Sequence, residues 1–523
     1  MQDIDIQALP DDPAHLKSLL VDKERQEAEL RNLLAKRDAE LRYLQEQLNL
    51  ALHRRFGKSS EKNPGQHELF DEPEQIIEEE ADTVDDGDDI EVLTVPAHER
   101  KTRGRKALPE HLPRIDVIHD MDDADKFCDT DGHALHKIGE DVSEQLEIIP
   151  AKIQVLRNIR IKYGCRACET GVKTAPMPAQ LIPKSMATPG LLSYIATSKY
   201  VDALPLYRQE QMFKRIGVEI SRATLAFWMI QVGKALAPLI TLLEEALLSG
   251  NVIHMDETPV QVLNEPGRKA QSQSYMWVRM GGITDHPIVL FNYDQSRGSD
   301  VPLRLLDGFT GHLMSDGYAG YHAVTRQGIT GIGCWAHARR KFKEAEKVQG
   351  KSQGSGKVHL ALSEIQKLYA IERQIADKPP DEKQAIRQAR AGPILSKMRS
   401  WLDKSRTQVL PKGTLGKALA YLDGEWPRLI RYVDDGRLPI DNNPCENAIR
   451  PFVIGRKNWI FSQSQAGVEA SAAIYSLIET AKRSGHEPWH YLNHVLTALP
   501  TTKPDDVEKL LPHNLSAITF NPA

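Results

Sequence analysis

The stretch Ile253-His-Met-Asp256-Glu-Thr-Pro259 decides the fold class of this chain. A short apolar run ends there in a carboxylate, which is how a buried strand presents a side chain to a cleft. The stretch Leu313-Met-Ser-Asp316-Gly-Tyr has the same form. Short apolar runs predict strands at 252–255, 275–280, 287–293, 312–315 and 330–334. Helical patterns follow the third and the fifth of these runs, and this alternation predicts an α/β core.

A third acid, Glu446, follows Pro444 and therefore lies in the first turn of a predicted helix. Three carboxylates drawn together from distant parts of a chain repel one another unless cations lie between them. Hard oxygen ligands suit Mg²⁺ or Mn²⁺ and the phosphates of a substrate. The pattern therefore predicts metal-dependent phosphodiester chemistry at Asp256, Asp316 and Glu446.

Four segments together carry a resemblance to a known family. They are His254-Met-Asp256-Glu-Thr, Ser315-Asp316-Gly-Tyr-Ala-Gly-Tyr, Gly333-Cys-Trp-Ala-His-Ala-Arg-Arg-Lys-Phe342 and Asn442-Asn-Pro-Cys-Glu446-Asn-Ala-Ile-Arg-Pro451. The chain resembles transposases of the insertion sequence 66 family, in the same order over nearly its whole length. The resemblance implies a ribonuclease H-like catalytic core with an Asp-Asp-Glu triad and two Mg²⁺ or Mn²⁺ ions. It also implies double-stranded DNA (element ends and target) as substrate, and relatives are usually encoded beside two small accessory proteins.

The charge of the chain is divided unevenly. Residues 71–91 contain 12 acidic and no basic residues, and without these 12 charges the formal net charge of −5 would become +7. The 5 cysteines do not form a secreted disulfide framework in a chain of 523 residues. We see no signal peptide and no uninterrupted membrane span, so we expect a cytoplasmic, nucleoid-associated protein with no membrane partner.

The N-terminal region is predicted to be one long helix. Residues 13–55 are almost free of Gly and Pro and carry leucines at heptad-like spacing, although Lys23, Glu27 and Arg37 interrupt the seam. This pattern favours a coiled coil that joins copies of the chain, and a single solvated helix is the alternative. An acidic linker follows, and then the basic run Arg100–Lys106, which suits phosphate contact and resembles the core of a minor-groove hook.

Residues 125–175 are predicted to be a small zinc-finger-like β module. Cys165-x-x-Cys168 supplies half of a tetrahedral zinc site. Relatives usually have a second Cys-x-x-Cys pair, but Asp131 stands where the partner of Cys128 would be. The carboxylate of Asp131, or His133 or His136, would then complete the site, and a zinc-free remnant is the alternative.

Helical patterns precede and interrupt the core. Around Gly217 and Ser221 two helices are joined in a way that is consistent with helix-turn-helix DNA binding or with scaffolding. The predicted organisation is the N-terminal helix 1–62, the linker and hook 63–124, the zinc-finger-like module 125–175, the helical region 176–250, the core 251–484 with a helical insertion at 345–430, and a C-terminal appendage 485–523.

Cations close to the core are candidates for DNA contact. A basic helix is predicted from Ala336, and three cations follow Glu446 on its own helix. Glu257, the neighbour of Asp256, is its rival for the first catalytic position. Neighbours on a strand face opposite sides, so only one of the two can point into the cleft, and the resemblance favours Asp256. The residues predicted to contact DNA are Arg103, Arg105, Lys106, His337, Arg339, Arg340, Lys341, Arg450, Arg456 and Lys457.

Two other functions stay open from the sequence. One is a DNA-binding protein that marks or represses element ends without catalysis. The other is a glycosidase that uses paired carboxylates without metal. The basic run and the cationic helices have no use in a glycosidase, and the intact acids count against a protein that only binds.

Overall fold

The computed structural model describes residues 12–56, 153–164, 172–282, 287–325, 328–349 and 356–518. The acidic linker, Arg103, Arg105, Lys106 and the proposed zinc ligands Cys128, Asp131, Cys165 and Cys168 lie outside these ranges. What the sequence predicts for those residues therefore stays a prediction.

Helices make up most of the described chain. In chain order they are α1 (Pro13–Phe56), α2 (Pro189–Tyr200), α3 (Leu206–Arg215), α4 (Arg222–Ala235), α5 (Ala237–Leu248), α6 (Asp300–Leu305), α7 (His322–Thr325), α8 (Trp335–Gln349), α9 (Lys357–Gln374), α10 (Pro380–Ile386), α11 (Gly392–Arg406), α12 (Thr414–Leu429), α13 (Asn443–Trp459), α14 (Gln465–Arg483) and α15 (Pro488–Ala498). The strands are β1 (Lys162–Gly164), β2 (Val172–Thr174), β3 (Val252–Asn264), β4 (Gln273–Gly281), β5 (Ile288–Asp294), β6 (His312–Ser315), β7 (Thr330–Gly333) and β8 (Ser462–Ser464).

A mixed sheet forms the centre of the molecule, in the order β5-β4-β3-β6-β7. The first three strands are antiparallel, whereas β6 and β7 run parallel to β3. His254 on β3 pairs with Met314 on β6, so the end of β6 brings Asp316, the residue that follows this strand, next to the part of β3 that carries Asp256. The strand β6 has the predicted bounds, and β4, β5 and β7 agree with the prediction to within two residues.

One strand prediction was wrong in its extent. The sequence predicts that the first strand ends at Met255, immediately before Asp256, but β3 continues to Asn264. It pairs with β4 as far as Gln261 and with β8 at Val262 and Asn264. Beyond the acids, Val260 and Val262 are buried, so the strand continues into the core. Glu257 is also buried, and its carboxylate forms an ion pair with Arg297. Asp256 therefore projects from the middle of a long strand and not from its end.

Helices cover the open edge of the sheet at β5. On α14, Ser476 Oγ accepts the Phe291 N–H at 2.8 Å and Thr480 Oγ1 accepts the Val289 N–H at 3.0 Å. These side chains take the place of a neighbouring strand, because an edge strand otherwise leaves its backbone groups unpaired. α14 packs in turn against α4 so closely that a Cβ on Gly233 would lie 2.6 Å from the Ala470 Cα.

The helix pair α3–α4 has the predicted end signals. Gly217 adopts φ +82°, and the Ser221 side chain accepts the Thr224 N–H at 3.2 Å, so both predictions are confirmed. The two helices are part of the main core and not a detached module, since Leu225 and Trp228 are buried in the same cluster as the sheet.

The segment between β7 and α13 forms a second, helical layer. α8, α9, α11 and α12 share a core of their own beside β6 and β7. Trp335 at the start of α8 donates from Nε1 to the Leu429 carbonyl at 2.9 Å, and its ring meets Trp426 edge-on. This layer packs the helical insertion against β6 and β7, and so against the strand that Asp316 follows.

The C-terminal segment differs from the appendage that the sequence suggested. On α15, Tyr491, Leu492 and Val495 are fully buried in the main core, and the Tyr491 hydroxyl donates to the Leu510 carbonyl at 2.8 Å. The apolar spacing on α15 matches a surface of the core that would otherwise be exposed, so this segment is a structural part of the core.

No single helix in the described ranges is long and apolar enough to cross a membrane. Only α4 and α5 taken together meet the length and composition required, as a pair bent by 48°. Leu225, Leu239 and Leu243 of this pair are fully buried against the rest of the protein.

Candidate active site

Asp256 lies on the central strand of the sheet, and its carboxylate is close to three other acids. Its Oδ1 accepts the Glu257 N–H at 2.8 Å. Removal from water raises the pKa of Asp256 well above its ordinary value, and the charges of Glu257, Glu446 and Asp316 raise it further. Asp316 and Glu446, the other two acids singled out from the sequence, are therefore both within electrostatic reach of Asp256.

Asp316 follows β6 in a tight turn. Its Oδ1 accepts the Tyr318 N–H at 2.9 Å, which fixes the carboxylate in place. The next residue has to be glycine, since a Cβ on Gly317 would lie 2.7 Å from the ring of Tyr421 on α12. The Asp-Gly sequence thus lets the insertion pack directly against the loop that carries the second acid.

Glu446 is in the first turn of α13, as predicted from Pro444. Its Oε2 accepts from Arg340 Nη2 at 3.2 Å, and its Oε1 lies 3.5 Å from His337 Nδ1. Its side chain is 12% exposed. The basic helix α8 thus contacts the third acid directly.

Asn442 connects the segments that carry Asp256 and Glu446. Its Oδ1 is 2.9 Å from His254 Nδ1, and its Nδ2 donates to the Met255 carbonyl at 3.0 Å. Its backbone N–H meets Cys334 Sγ at 3.3 Å. Burial lowers the pKa of His254 to about 4, so the imidazole is neutral at pH 7. We missed this role of Asn442 in the sequence, although the residue belongs to the Asn-Asn-Pro motif that led to Glu446.

Glu257, the rival of Asp256, has cationic and hydroxyl partners of its own. Its Oε1 accepts from Arg297 Nε at 2.8 Å and Nη2 at 2.6 Å, and its Oε2 accepts from the Tyr321 hydroxyl. Burial, and then the charge of Asp316, raise the pKa of Glu257, while Tyr321 and Arg297 oppose this rise. Arg297 and Tyr321 were both missed, because an isolated Arg in a loop and a Tyr in an aromatic run give no signal by spacing.

The residues present fit a divalent cation. Asp256, Asp316 and Glu446 offer only carboxylate oxygens, the ligands that Mg²⁺ and Mn²⁺ prefer. Burial raises the pKa of Asp256, and the charges of Glu257, Glu446 and Asp316 raise it further. A bound cation would offset both effects by favouring the charged carboxylates.

A second group could also hold a metal ion. Ligand atoms of Cys334, His337 and Glu446 all lie within 4.8 Å of one another. However, burial raises the pKa of the Cys334 thiol well above its ordinary value, and Asp441 and Glu446 add to the rise. A thiol that keeps its proton is a poor ligand, so this group fits a metal less well than the three acids do.

The predicted DNA contacts in the described part of the chain fall into three groups. His337 and Arg340 face Glu446, as described above. Arg339 is buried at 4% exposed, so it is the least able of these cations to reach a DNA backbone. On α13, Arg456 donates to Thr258 Oγ1 at 3.0 Å, and burial lowers the pKa of its guanidinium. Lys341 and Arg450 are partly buried, and Lys457 is exposed.

Comparison with known proteins assigns the class. A family described as "Transposase IS66 family" matches residues 184–470, and "IS66 C-terminal element" matches 476–513. "Zinc-finger binding domain of transposase IS66" matches 125–169, and "Transposase C of IS166 homeodomain" matches 43–117. The matched class is that of a transposase.

The chain belongs to the IS66 transposase family. Its similar relatives include two proteins from Sinorhizobium fredii. Uncharacterized protein y4jD is 34% identical over 83% of this chain and 86% of its own length. Uncharacterized protein y4qI is 34% identical over 79% of this chain and 78% of its own length. Neither name states an activity.

Proposed function

We propose that this protein is the DNA transposase of an insertion sequence, which binds element ends and catalyses metal-dependent strand cleavage and strand transfer. The observation that carries the proposal is that Asp316 and Glu446, from two distant segments, lie close enough to buried Asp256 for their charges to add to the effect of burial in raising its pKa. Membership of a transposase family supports DNA as the substrate.

The fold of the core is proposed to be ribonuclease H-like. Three antiparallel strands followed by two parallel strands support this assignment, with the first acid on the central strand and the second directly after its parallel neighbour. The third acid comes from a helix that packs on β3 and β4, beyond the helical insertion.

In the proposed mechanism Asp256 and Asp316 would hold two divalent ions, and Glu446 would complete one coordination sphere. Such ions lower the pKa of the attacking water or 3′-hydroxyl and neutralise the leaving 3′ oxygen. Arg340 and His337 orient the Glu446 carboxylate from α8. Asn442 and His254 fix the spacing between β3 and α13, and through it the distance between the first and third acids.

The regions outside the core are proposed to serve DNA and assembly. The α1 leucines Leu20, Leu34 and Leu44 are about 60% exposed, which suits a helix that pairs with a second copy of the chain. We further propose that Cys128, Asp131, Cys165 and Cys168 bind Zn²⁺, that Arg103, Arg105 and Lys106 contact DNA phosphates, and that the protein works on nucleoid DNA, with or without accessory proteins of its element.

The test is an incubation of the purified full chain with labelled DNA that contains an element end, with Mg²⁺ or with EDTA. We expect Mg²⁺-dependent nicks at the element boundary, which Asp256→Asn abolishes and the exposed control Asp307→Asn leaves unchanged. Binding of this DNA without any cleavage would favour the alternative, a DNA-binding protein that recognises element ends but is catalytically inactive. Cleavage that survives EDTA would overturn the metal mechanism.

A further inference from the structure

Arg297 is placed beside the candidate active site and has no part in the mechanism above. It lies in the loop between β5 and α6, where its Nε and Nη2 both donate to Glu257 Oε1. Its guanidinium stacks on the ring of Tyr318, 4.1 Å from the centroid, and its carbonyl accepts from the Tyr318 hydroxyl at 2.7 Å. Tyr318 is two residues from Asp316, so Arg297 connects the segments that carry the first two acids.

A comparison with another arginine of the same sheet separates a structural role from a binding role. Arg279 on β4 is fully buried, and its donors are taken up by Glu244, by Asn292 and by the Leu305 carbonyl. Arg297, by contrast, keeps 44% of its side chain exposed. Its Nη1 makes no hydrogen bond to any residue in the described ranges. A side chain needed only to neutralise Glu257 would not have to leave a donor facing solvent.

Arg297 lies close enough to Glu257 and Asp316 for their charges to act on it. The charge of Asp316 acts on both Glu257 and Arg297. Glu257, which is 3% exposed in its side chain, and the Tyr318 ring together hold the guanidinium in one orientation. A planar fork with a fixed orientation and a free N–H edge suits a phosphate oxygen, because arginine binds phosphates through paired N–H groups.

We propose that Arg297 binds a phosphate of the DNA strand next to Asp256 and Asp316, and that Glu257 and Tyr318 hold it in position for this contact. The inference rests on the proposed function for the identity of the substrate. It gives Glu257 a role that differs from the rival position in the triad: Glu257 orients a cation toward the DNA, while Asp256 faces the metal ions.

The test measures DNA binding as a function of salt, without divalent ions so that cleavage does not occur. A lost phosphate contact reduces the slope of log affinity against log salt by about 1. For Arg297→Gln we expect that reduction and about a tenfold fall in affinity at low salt. Arg297→Lys keeps the charge and should keep the slope. The control Arg304→Gln removes an exposed arginine that pairs with Asp294 and should leave both quantities unchanged.

A second variant protects the test from a folding defect. Glu257→Gln/Arg297→Gln removes both partners, so no buried carboxylate is left without its cation. It should fold and show the same loss of slope as Arg297→Gln. In Mg²⁺, both variants should cleave about 10²-fold more slowly than the parent chain.

The proposal is overturned if folded Arg297→Gln and the double variant both keep the parent slope, since Arg297 would then serve only to neutralise Glu257. A parent chain that binds DNA but does not cleave it would remove the proposed function instead. The slope comparison would still decide whether Arg297 contacts phosphate, so the two failures are distinguishable.

Discussion

Buried acids are treated in opposite ways in two adjoining regions of this molecule. In the helical insertion, two buried acids and one partly buried acid each have a cation: Glu425 bonds Arg428 at 2.9 Å, Glu364 bonds Lys397 at 2.9 Å, and the partly buried Glu372 bonds Arg387 at 2.6 Å. Removal from water would raise the pKa of Glu364, but the hydrogen bonds from its lysines lower it overall.

In the cleft the balance is reversed. Asp256 lies near Glu257, Glu446 and Asp316, and burial together with the charges of all three raises its pKa. Arg297 pairs with Glu257, and Arg340 pairs with Glu446. The pKa of Asp256 is nevertheless raised. The difference teaches that the insertion uses charge to hold its helices together, whereas the cleft keeps an excess of negative charge that a divalent cation can use.

The largest expected effect is the loss of DNA cleavage when Asp256, in the cleft, is replaced. Asp256→Asn removes a metal ligand, so DNA cleavage should fall by about 10³-fold or more, because bound cations supply several kcal/mol of transition-state stabilisation. The same change removes like-charge repulsion, so the free energy of unfolding without metal should rise. Gel-based cleavage rates and urea unfolding measure the two quantities, and a variant that cleaves normally would exclude Asp256 from the triad.

The next effect concerns the insertion, where the prediction has the opposite sign. Arg387→Met would leave Glu372 without its cation and three carbonyls without their donor. The free energy of unfolding should fall by about 3–5 kcal/mol. The control Arg390→Met changes an exposed residue of the same segment and should stay within about 0.5 kcal/mol of the parent. Equal stabilities of the two variants would remove the contrast between the regions.

His254, which contacts Asn442 beside the cleft, should make the free energy of unfolding depend on pH. Its pKa in the folded protein is about 4, below the ordinary value of 6.5, so protonation is disfavoured on folding. Its contribution to stability is present above pH 6.5 and is lost as the pH falls toward 4. Between pH 7 and pH 5 this loss should be about 2 kcal/mol. Urea unfolding of His254→Gln should show a smaller pH dependence by that amount, and an identical dependence would mean that His254 titrates normally.

The smallest effect is expected where the two regions meet. The Tyr369 hydroxyl on α9 donates to Asp441 Oδ2 at 2.7 Å, in the loop that leads to Glu446. Tyr369→Phe removes this bond and should lower the free energy of unfolding by about 1 kcal/mol. Cleavage should fall in the same variant, because the loop before Glu446 loses a support. A loss of stability with unchanged cleavage would show that the insertion does not position the third acid.

Sequence reasoning reached the parts of the structure that depend on local pattern. The strand β6, the Gly217 and Ser221 end signals and the place of Glu446 in a first helical turn all follow from nearest neighbours in the chain. It missed the length of β3, because residues 257–261 pair with β4, residues 262–264 pair with β8, and Glu257 depends on a partner distant in the chain.

Of the candidate site, only the acids could be predicted, because they lie in short sequence motifs. Acids carry a recognisable motif, but Arg297 and Asn442 act through contacts 40 and 188 residues away, and no spacing rule reveals such contacts. The burial of Arg339 was also hidden, since a basic helix looks alike whether a given cation faces solvent or the second core.

The central claim is that the three acids together bind divalent cations. The most direct test measures Mn²⁺ binding to the purified protein in the presence of element-end DNA, through the loss of the electron paramagnetic resonance signal of free Mn²⁺. Three acids that gather to hold cations should take up about two Mn²⁺ per chain, and Asp256→Asn should lose this uptake. Equal uptake by the parent chain and by Asp256→Asn would contradict the claim.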